Sequence, residues 1–360
     1  MGILNLQSLS KRYNDTWVLR DAAAQVESGE IFGVLGAPGS GKSTLLRIIA
    51  GLEKAAGGSI SFEDTSLDTS STAGRNFAFV PQESSLFPNK SVFDNVAFGL
   101  TGVKGLSQSD IAKKTNEALL YTGLEGLAGA KPAEISESDK VMAALARALA
   151  VEPKMLVIDS PFGSLDLNTK ENVLEKYRHA IKGAGITAIC AVRDHLEAFA
   201  LCDRVGVLHG GAIIQTGAPR ELYQRPVSVY AAQMLGRNNF ITARRVTFNN
   251  ADIQEFQTQN GDHRLRTDKM EQRLLGAITQ DVTLAIRPEN ISISFGASFP
   301  EDNLLKAVVK EVHYQGATTR IVLDADGLML EALVLRLVGL NLFDECMVGL
   351  PPDRILVLKD

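Results

Sequence analysis

The stretch with the clearest chemical pattern in this sequence is Gly36-Ala-Pro-Gly-Ser-Gly-Lys-Ser-Thr44, which fits the phosphate-binding pattern G-x-x-x-x-G-K-[ST]. Its glycines at 36, 39 and 41 allow backbone N–H groups to turn towards phosphate oxygens. Lys42 can reach β and γ phosphates, and the Ser43 hydroxyl can ligate Mg²⁺. The residues before it, 31–35, are typical of a buried strand, and residues 44–50 of a helix start. We therefore predict that the terminal phosphates of a nucleotide bind here.

Other candidate groups lie at the ends of predicted strands. Residues 155–159 form an apolar run that ends in Asp159, the place where a P-loop protein holds Mg²⁺. Gln82 follows the apolar run 77–80, and a glutamine there can ligate the metal, orient a water molecule or simply cap a turn. The predicted metal ligands are thus Ser43, Gln82 and Asp159. Tyr13 lies upstream of the P-loop, where its ring can either stack on an adenine or remain an ordinary strand tyrosine.

These residues need a scaffold, and the patterning predicts one. Residues 3–34 alternate between apolar and polar positions with turn signals at 14–15 and 27–29, which indicates antiparallel strands. Residues 107–150 have a helical period. We expect one apolar helical stripe there, made by Leu119, Leu120, Leu124 and Leu127. Further apolar runs at 186–192 and 204–208 alternate with helical segments, which predicts a mostly parallel α/β sheet.

Composition narrows the class of protein. A length of 360 residues predicts two domains. The net charge of −5 is spread along the chain, which argues against a nucleic-acid partner. Cys190, Cys202 and Cys346 form no C-x-x-C pair, so we expect neither a disulfide framework nor a zinc site. No signal segment is evident and no apolar run approaches the ~18 residues of a membrane span. We therefore expect a cytoplasmic protein that works at a membrane only through partners.

The order of the motifs resembles the ATP-binding subunit of an ABC transporter. The similarity covers about residues 3–235 and rests on the P-loop, Gln82 and the runs at 134–149, 156–166 and 203–217. It implies a P-loop NTPase domain at 1–235, with a RecA-like core, an antiparallel β subdomain and a helical subdomain at about 88–155. The tail 236–360 resembles the small β-barrel (OB/TOBE-like) regulatory domain of importer ATPases for ferric iron, polyamines, sulfate and sugars. The motifs behind this second similarity are residues 284–291 and 314–316.

The resemblance also implies roles for individual residues, with ATP and Mg²⁺ as cofactors. Tyr13 matches the adenine-stacking aromatic residue, and Gln82 matches the Q-loop glutamine that faces the permease. Asp159 matches the Walker B aspartate, and Asp166 the D-loop aspartate. The predicted nucleotide-binding residues are Tyr13, Gly36, Ala37, Pro38, Gly39, Ser40, Gly41, Lys42, Ser43, Thr44 and Asp159.

The signature loop departs from the family pattern. Where the family carries L-S-G-G-Q, this chain has Ile135 followed by Ser136, Glu137, Ser138 and Asp139, so only the serine is kept. In the family's dimer this loop packs on the γ-phosphate of the partner's ATP, and its glycines let backbone N–H groups come close. A glutamate charge ~5 Å from one phosphate charge costs ~3 kcal/mol at an effective dielectric constant of ~20. Lys140 can offset part of this cost.

Two catalytic positions also depart from the family. The residue after the Walker B aspartate is Ser160 rather than glutamate, and a serine has no useful basicity near neutral pH. Losing a general base costs ~10²–10⁴ in rate. The switch histidine is Arg193, which can hold a γ-phosphate but is not an equivalent replacement. The predicted catalytic positions are Ser160, Arg193, Gln82 and Asp166, and their identities predict impaired hydrolysis unless other residues substitute for the missing groups.

Three functional hypotheses remain open on the sequence. The first is a fully active importer ATPase, for a polyamine, sulfate or sugar. The second, which we favour, is an importer subunit that binds ATP but hydrolyses it poorly, with ferric iron as the preferred cargo because residues 161–166 and 215–223 look like that branch. The third is a P-loop kinase or GTPase unrelated to transport, although nothing matches a guanine-reading N-K-x-D motif.

The importer hypotheses imply several partners. These are transmembrane permease subunits, a second ATP-binding subunit in a homodimer or in a heterodimer with an intact ATPase, and indirectly a periplasmic or extracellular solute-binding protein. The expected location is the inner face of the cell membrane.

Overall fold

The computed structural model describes residues 2–246, 253–268, 281–294, 303–335 and 339–358. The chain divides into two compact units, Met1–Leu222 and Tyr223–Asp360. The domain boundary expected at 235/236 lies further along the chain than this division and stays a prediction.

The first unit contains two sheets and seven complete helices. Its strands are β1 (Gly2–Tyr13), β2 (Thr16–Glu27), β3 (Ile31–Leu35), β4 (Gly57–Phe62), β5 (Thr65–Ser66), β6 (Phe77–Val80), β7 (Met155–Asp159), β8 (Thr187–Val192), β9 (Arg204–His209) and β10 (Ala212–Gly217). Its helices are α1 (Lys42–Ile49), α2 (Thr72–Arg75), α3 (Val92–Ala97), α4 (Gln108–Thr122), α5 (Glu137–Ala150), α6 (Leu167–Gly183) and α7 (His195–Leu201). Helix α8 (Pro219–Gln224) spans the division between the units.

The central sheet of this unit has six strands in the order β10-β9-β3-β8-β7-β6. Strand β3 runs parallel to β8 and β9, and β7 runs parallel to β6 and β8. Every residue of β3, β7 and β8 is buried, and all of them are apolar or glycine except Asp159 at the end of β7 and Thr187 at the start of β8, as expected for strands that are covered on both faces. The predicted parallel α/β sheet is confirmed. A second, antiparallel sheet has the order β2-β1-β4-β5, as the alternating pattern of residues 3–34 predicted for its first two strands.

The register of the central sheet determines which residues can meet. Leu35 of β3 pairs with Val192 of β8, and Asp159 of β7 pairs with Ala191 of β8. The residues that follow these three strands therefore leave the sheet at the same edge and at nearly the same level. This edge is where open α/β sheets bind their ligands.

The prediction of one apolar stripe formed by Leu119, Leu120, Leu124 and Leu127 is wrong for Leu120. Leu119 at the end of α4 is 1% exposed and Leu124 just after the helix is 2% exposed, but Leu120 is 65% exposed. Adjacent residues of a helix point about 100° apart, so α4 cannot turn both Leu119 and Leu120 towards the same neighbours. Leu127 is only partly buried.

The described residues of the second unit form antiparallel strands and one further α-helix. Its elements are α9 (Val229–Met234) and the strands β11 (Asn239–Arg245), β12 (Gln254–Thr258), β13 (Arg264–Thr267), β14 (Asp281–Ile286), β15 (Ser292–Ser294), β16 (Asn303–Tyr314), β17 (Thr319–Ala325), β18 (Leu328–Val334), β19 (Glu345–Leu350) and β20 (Leu356–Leu358). Two five-stranded sheets form, in the orders β13-β12-β11-β14-β20 and β15-β19-β16-β17-β18. Their inward faces share one core, in which Phe256 and Leu284 of the first sheet join Ile321 and Val348 of the second. The small antiparallel β domain predicted for the tail is confirmed.

Arg287 fastens the start of this second unit to its sheets. The residue is 5% exposed and donates to the carbonyl oxygens of Ala232, Arg237 and Tyr223 at 3.4, 3.1 and 3.0 Å. Its guanidinium stacks on the Tyr223 ring at 3.9 Å from the centroid. The Tyr223 hydroxyl donates to Glu289, and burial followed by this bond raises the pKa of Tyr223 to about 12. Arg287 therefore has a structural role: it holds the segment from Tyr223 to Arg237 against the end of β14.

Candidate nucleotide site

The loop between β3 and α1 has the backbone that its glycines predict. Gly41, which precedes the first residue of α1, has φ +103°, a conformation that strongly favours glycine. A Cβ at Gly36 would lie 2.6 Å from the carbonyl oxygen of Leu208, so the tight turn out of β3 also requires glycine. The Lys42 ammonium bridges the loop by donating to the carbonyl oxygens of Gly36 at 2.6 Å and Ala37 at 3.0 Å. The loop is therefore closed around the lysine and directs the N-terminus of α1 at the site.

The hydroxyl groups of Ser40 and Ser43 test whether this loop suits a phosphate and a metal ion. The Ser40 hydroxyl is buried and has no hydrogen-bond partner among the residues that the structure describes, as expected of a group that awaits a ligand. The Ser43 hydroxyl donates to Asp159 Oδ1 at 2.9 Å. Ser43 and Asp159 are oxygen ligands of the type that Mg²⁺ takes. The predicted pair of metal ligands is thus together, and Asp159 is only 5% exposed.

Two cations, Lys42 and Arg193, lie on the segments that follow the adjacent strands β3 and β8. Burial lowers the pKa of Lys42, and the positive charge of Arg193 lowers that pKa further, while Asp159 and Glu197 oppose both effects. Arg193 follows Val192 of β8, and Val192 pairs with Leu35 of β3 just before the P-loop, so the P-loop and Arg193 leave adjacent strands at the same edge of the sheet. A site with two cations and a helix N-terminus attracts a highly charged anion such as the terminal phosphates of a nucleotide.

Ser160 occupies the position where a general base is expected and is engaged elsewhere. It follows β7 with φ +47° and is 6% exposed, and its hydroxyl donates to the Ala191 carbonyl oxygen at 3.0 Å. The hydroxyl proton is therefore used to bind the neighbouring strand β8. A serine held in this way can position the end of β7 beside β8, but it cannot take a proton from water.

Arg193 is held by a network that the sequence motifs did not include. Its backbone N–H donates to Glu197 Oε2 at 2.8 Å, and Lys170 Nζ lies 2.5 Å from Glu197 Oε1 and 3.1 Å from Asp194 Oδ2. Glu197 is fully buried. The Arg193 guanidinium lies against Gly163, where a Cβ would collide with it. Lys170 thereby ties the first turns of α6 to the segment that carries Arg193.

Sequence reasoning missed Lys170 and Glu197, and only one of them has a recognisable signal. Asp194 is the N-cap of α7 and accepts from the Glu197 backbone N–H at 2.9 Å, so D-x-x-E at 194–197 has the spacing of a helix-capping motif. That motif predicts a helix start rather than a buried carboxylate. Nothing in the sequence indicates that Lys170 contacts both acids.

Three further predicted residues lie at the surface of this unit. Tyr13 is 42% exposed, and its hydroxyl donates to Glu53. The hydrogen bond holds the hydroxyl end of the ring, and the ring itself is accessible to a ligand. Gln82 is exposed two residues after β6, and among the described residues it makes no hydrogen bond with Ser43 or Asp159, so it is not assembled with the other two predicted metal ligands. Asp166 is the N-cap of α6 and accepts from the Thr169 backbone N–H at 3.1 Å. Hydrogen bonding with the Thr169 side chain, followed by this backbone bond, lowers the pKa of Asp166.

The signature residues form the N-terminal cap of α5. Ser136 accepts from the Asp139 backbone N–H at 3.1 Å and donates to the Asp139 carboxylate at 2.6 Å, and Ser138 Oγ lies 2.7 Å from Ser136 Oγ. Lys140 Nζ lies 2.6 Å from Glu137 Oε1, so the Glu137 charge is paired. The first turn of α5 therefore already carries two carboxylates where a helix N-terminus would otherwise attract a phosphate.

The geometry defines a class of protein. A glycine-rich loop leads from a central parallel strand into a helix, and a buried aspartate ends a parallel strand of the same sheet. Together with the antiparallel sheet and the helices α3 to α5, this is the ATP-binding cassette form of a P-loop NTPase.

Known proteins agree with this class. Residues 19–163 match the family described as ABC transporter, and residues 284–358 match the family described as TOBE domain. The molybdate/tungstate import ATP-binding protein WtpC of Pyrococcus horikoshii is 33% identical over 93% of this chain and 92% of the relative. The spermidine/putrescine import ATP-binding protein PotA of Thermotoga maritima is 32% identical over 90% of this chain and 87% of the relative.

Two solved structures each resemble a little over half of the chain. The structure of cbiO1 from Clostridium perfringens, part of the ABC transporter complex cbiONQ, has a TM-score of 0.58 and 31% identity, and covers 62% of this chain and 90% of that one. A dimeric ATP-binding cassette in a post-hydrolysis state, bound to ADP and Pi, has a TM-score of 0.53 and 26% identity, and covers 60% of this chain and 99% of that one.

The chain belongs to the family of importer-type ABC ATP-binding proteins that carry a C-terminal TOBE domain. Membership in this family sets aside the hypothesis of a kinase or GTPase unrelated to transport. Among the described residues, no helix is long and apolar enough to cross a membrane.

Proposed function

We propose that this protein is the ATP-binding subunit of an ABC importer, that it binds Mg-ATP, and that its own hydrolysis is slow. The P-loop backbone, the unpartnered Ser40 hydroxyl and Lys42 support binding of the phosphates. Ser43 and Asp159 would hold Mg²⁺, which when bound neutralises phosphate charge. Tyr13 would stack on the adenine, since its ring is exposed.

The single observation that carries slow hydrolysis is the state of Ser160. Hydrolysis of a terminal phosphate needs a group that orients the attacking water and accepts its proton. At the position after Asp159 this chain offers a hydroxyl that is already bonded to the Ala191 carbonyl oxygen. Arg193, on the segment that follows β8 next to the P-loop strand, supplies a permanent positive charge where the family pattern has a histidine. We infer that these residues retain the γ-phosphate rather than promote its transfer.

Two measurements on the purified full-length protein test the proposal together. A calorimetric titration with Mg-ATP should give saturable binding, and steady-state phosphate release at saturating Mg-ATP should stay far below the ordinary enzyme scale of ~1–10 s⁻¹. Lys42→Ala serves as the background for both measurements. Binding with turnover at ~1 s⁻¹ or faster would support the second candidate, a fully active motor. That candidate is favoured by the near full-length similarity to import ATP-binding proteins.

The partners we propose follow from the family. One relative by structure is named as part of a transporter complex, and another is a dimer. We propose that this chain likewise binds permease subunits at the inner face of the cell membrane and that it pairs with a second ATP-binding subunit. Association of the permease with a separate solute-binding protein is part of the same proposal.

The cargo is the least constrained part of the proposal. The two relatives by sequence are named for an oxyanion pair and for polyamines, which carry opposite charges, at nearly equal identity. Similarity of the ATP-binding subunit therefore does not discriminate between cargoes. Ferric iron stays our prediction, and oxyanions, polyamines and sugars are the alternatives. Uptake of each labelled solute by cells with and without the gene would decide among them.

A further inference from the structure

Two thiols lie against each other in the core of the nucleotide-binding unit. Cys190 in β8 is fully buried, and Cys202, the residue after α7, is 4% exposed. Their sulfur atoms are 3.5 Å apart, and both are free thiols. The Cys202 sulfur also packs on β3, since a Cβ at Gly33 would lie 2.6 Å from it. A disulfide has an S–S length of ~2.05 Å, so the two sulfurs need to approach by only ~1.5 Å.

The chain between these cysteines carries the switch segment of the site. It contains the end of β8, then Arg193 and Asp194, and then α7 with the buried Glu197. A bond between Cys190 and Cys202 would close this segment into a covalent loop. The sequence did not predict that the two cysteines are neighbours, because the eleven residues between them comprise the end of β8, a turn and α7.

We propose that Cys190 and Cys202 are a dithiol modification site that a peroxide converts to an intramolecular disulfide and that a thiol reductant restores. The thiolate of Cys202, the more exposed residue, attacks one peroxide oxygen. The O–O bond breaks, the leaving hydroxide is protonated to water, and a sulfenic acid forms. The Cys190 sulfur then attacks the sulfenic sulfur, the S–O bond breaks, and the second hydroxide leaves as water with the thiol proton. Two electrons pass from the thiols to the peroxide.

Local opening and ionisation should control the rate of this reaction. The hydrogen bond with Cys190, followed by burial, holds the pKa of the Cys202 thiol well above its ordinary value. Only the thiolate attacks, so oxidation should be slow at neutral pH and faster as pH rises. Opening at the C-terminal end of the short helix α7 would expose the sulfur, and such local openings are common in native proteins.

The disulfide should weaken nucleotide binding, a consequence that rests on the proposed function. Drawing the sulfurs together moves the end of β8, and Arg193 follows β8 by one residue. Displacement of a phosphate-binding cation by about 1 Å is enough to disturb a site that depends on fixed geometry. We expect the bridged protein to bind Mg-ATP about tenfold more weakly than the reduced protein.

The experiment uses full-length protein treated with hydrogen peroxide and then unfolded and alkylated without reductant. The wild type should lose the mass of two hydrogen atoms, keep one alkylatable cysteine and yield a cross-linked peptide pair containing Cys190 and Cys202. Cys346→Ala should still form the cross-link, because this cysteine lies in the other unit. Cys190→Ala and Cys202→Ala should not form it.

Circular dichroism of each variant checks that the variant is folded. Titration with Mg-ATP before oxidation, after oxidation and after treatment with dithiothreitol gives the affinity for Mg-ATP in each state.

The outcomes separate this proposal from the proposed function. The mass measurement needs no nucleotide, so a cross-link can be found even in a protein that does not bind ATP. Failure of the folded wild type to form the Cys190–Cys202 peptide across the range from neutral to alkaline pH would overturn the modification site. A complete cross-link with equal ATP affinity in both states would overturn its effect on the nucleotide site. A loss of affinity in Cys190→Ala on oxidation would also overturn it, because the effect would then come from another group.

Discussion

Replacing Ser160 by glutamate puts back the group that the family uses as a base, and we expect it to restore little turnover. Ordinary enzymes turn over at ~10 s⁻¹, and loss of a general base costs ~10²–10⁴ in rate. The wild type alone should therefore release phosphate at roughly 10⁻³–10⁻¹ s⁻¹ or more slowly. We expect Ser160→Glu to raise this rate by less than about tenfold, a small part of the loss that a missing base explains.

The structure gives two reasons for so small a gain. Ser160 has φ +47° and donates to the Ala191 carbonyl oxygen, so a glutamate must adopt the same unusual backbone and leave that carbonyl without its partner. Arg193 lies in the same region, and an adjacent guanidinium lowers the pKa of a carboxylate by 1–3 units. A less basic carboxylate is a poorer general base. The new side chain would thus pair with the arginine rather than activate water.

The assay is steady-state phosphate release at saturating Mg-ATP from four proteins: wild type, Ser160→Glu, Arg193→His and the double variant. Residues that act together are not additive, so the double variant should exceed the product of the two single effects. Equal and independent gains would show that Arg193 does not interfere with a base at position 160. Recovery of ~1 s⁻¹ or more by Ser160→Glu alone would refute the argument.

Three further predictions concern binding and stability. Lys42→Ala should abolish Mg-ATP binding in a calorimetric titration, while Lys154→Ala, an exposed lysine elsewhere in the unit, should leave the affinity unchanged. A fragment of residues 223–360 should melt cooperatively and give β-type circular dichroism. A fragment of residues 240–360 should melt at a lower temperature, because it lacks the carbonyl groups that bind Arg287. Equal melting temperatures for the two fragments would contradict this. Arg287→Ala should lower the free energy of unfolding of the longer fragment by about 3 kcal/mol, measured by urea denaturation, and an unchanged midpoint would show that these contacts are dispensable.

The parts of the site that lie on regular patterns were predictable from the sequence. The P-loop residues and Asp159 are adjacent to buried strands, and the shared edge of a parallel sheet brings them together whatever the rest of the chain does. The exposure of Leu120 was not predictable in the same way. A run of leucines supports a helix, but which side of α4 faces the core depends on how α3 and α5 pack against it, and the leucine pattern does not specify that packing.

The network around Arg193 shows a second limit of sequence reasoning. A lysine on α6 is an ordinary surface residue by its type and spacing, and its contact with a fully buried glutamate appears only when α6 packs beside α7. The same holds for Cys190 and Cys202, which no spacing rule pairs. Periodicity determines which residues share an element, whereas side chains from two packed elements meet according to the packing itself.

The effect of the departures at Ser160, Arg193 and the signature loop depends on which nucleotide site of a dimer each of them enters, because each site combines residues of two subunits. In a head-to-tail pair of the family type, each nucleotide is held by the P-loop of one subunit and the signature loop of the other. A homodimer of this chain would combine Ser160, Arg193 and the Glu137 carboxylate at both sites, so neither site has a base. With an intact partner the defects separate. One site then has this chain's P-loop and a glycine-rich signature loop, while the other has the partner's base facing the capped and acidic start of α5. The ion pair between Glu137 and Lys140 reduces the repulsion at that second site, so it is the one that can still turn over. In such a heterodimer, which is part of the proposed function, this chain would retain ATP at its own P-loop, and hydrolysis would take place at the site that the partner's P-loop forms.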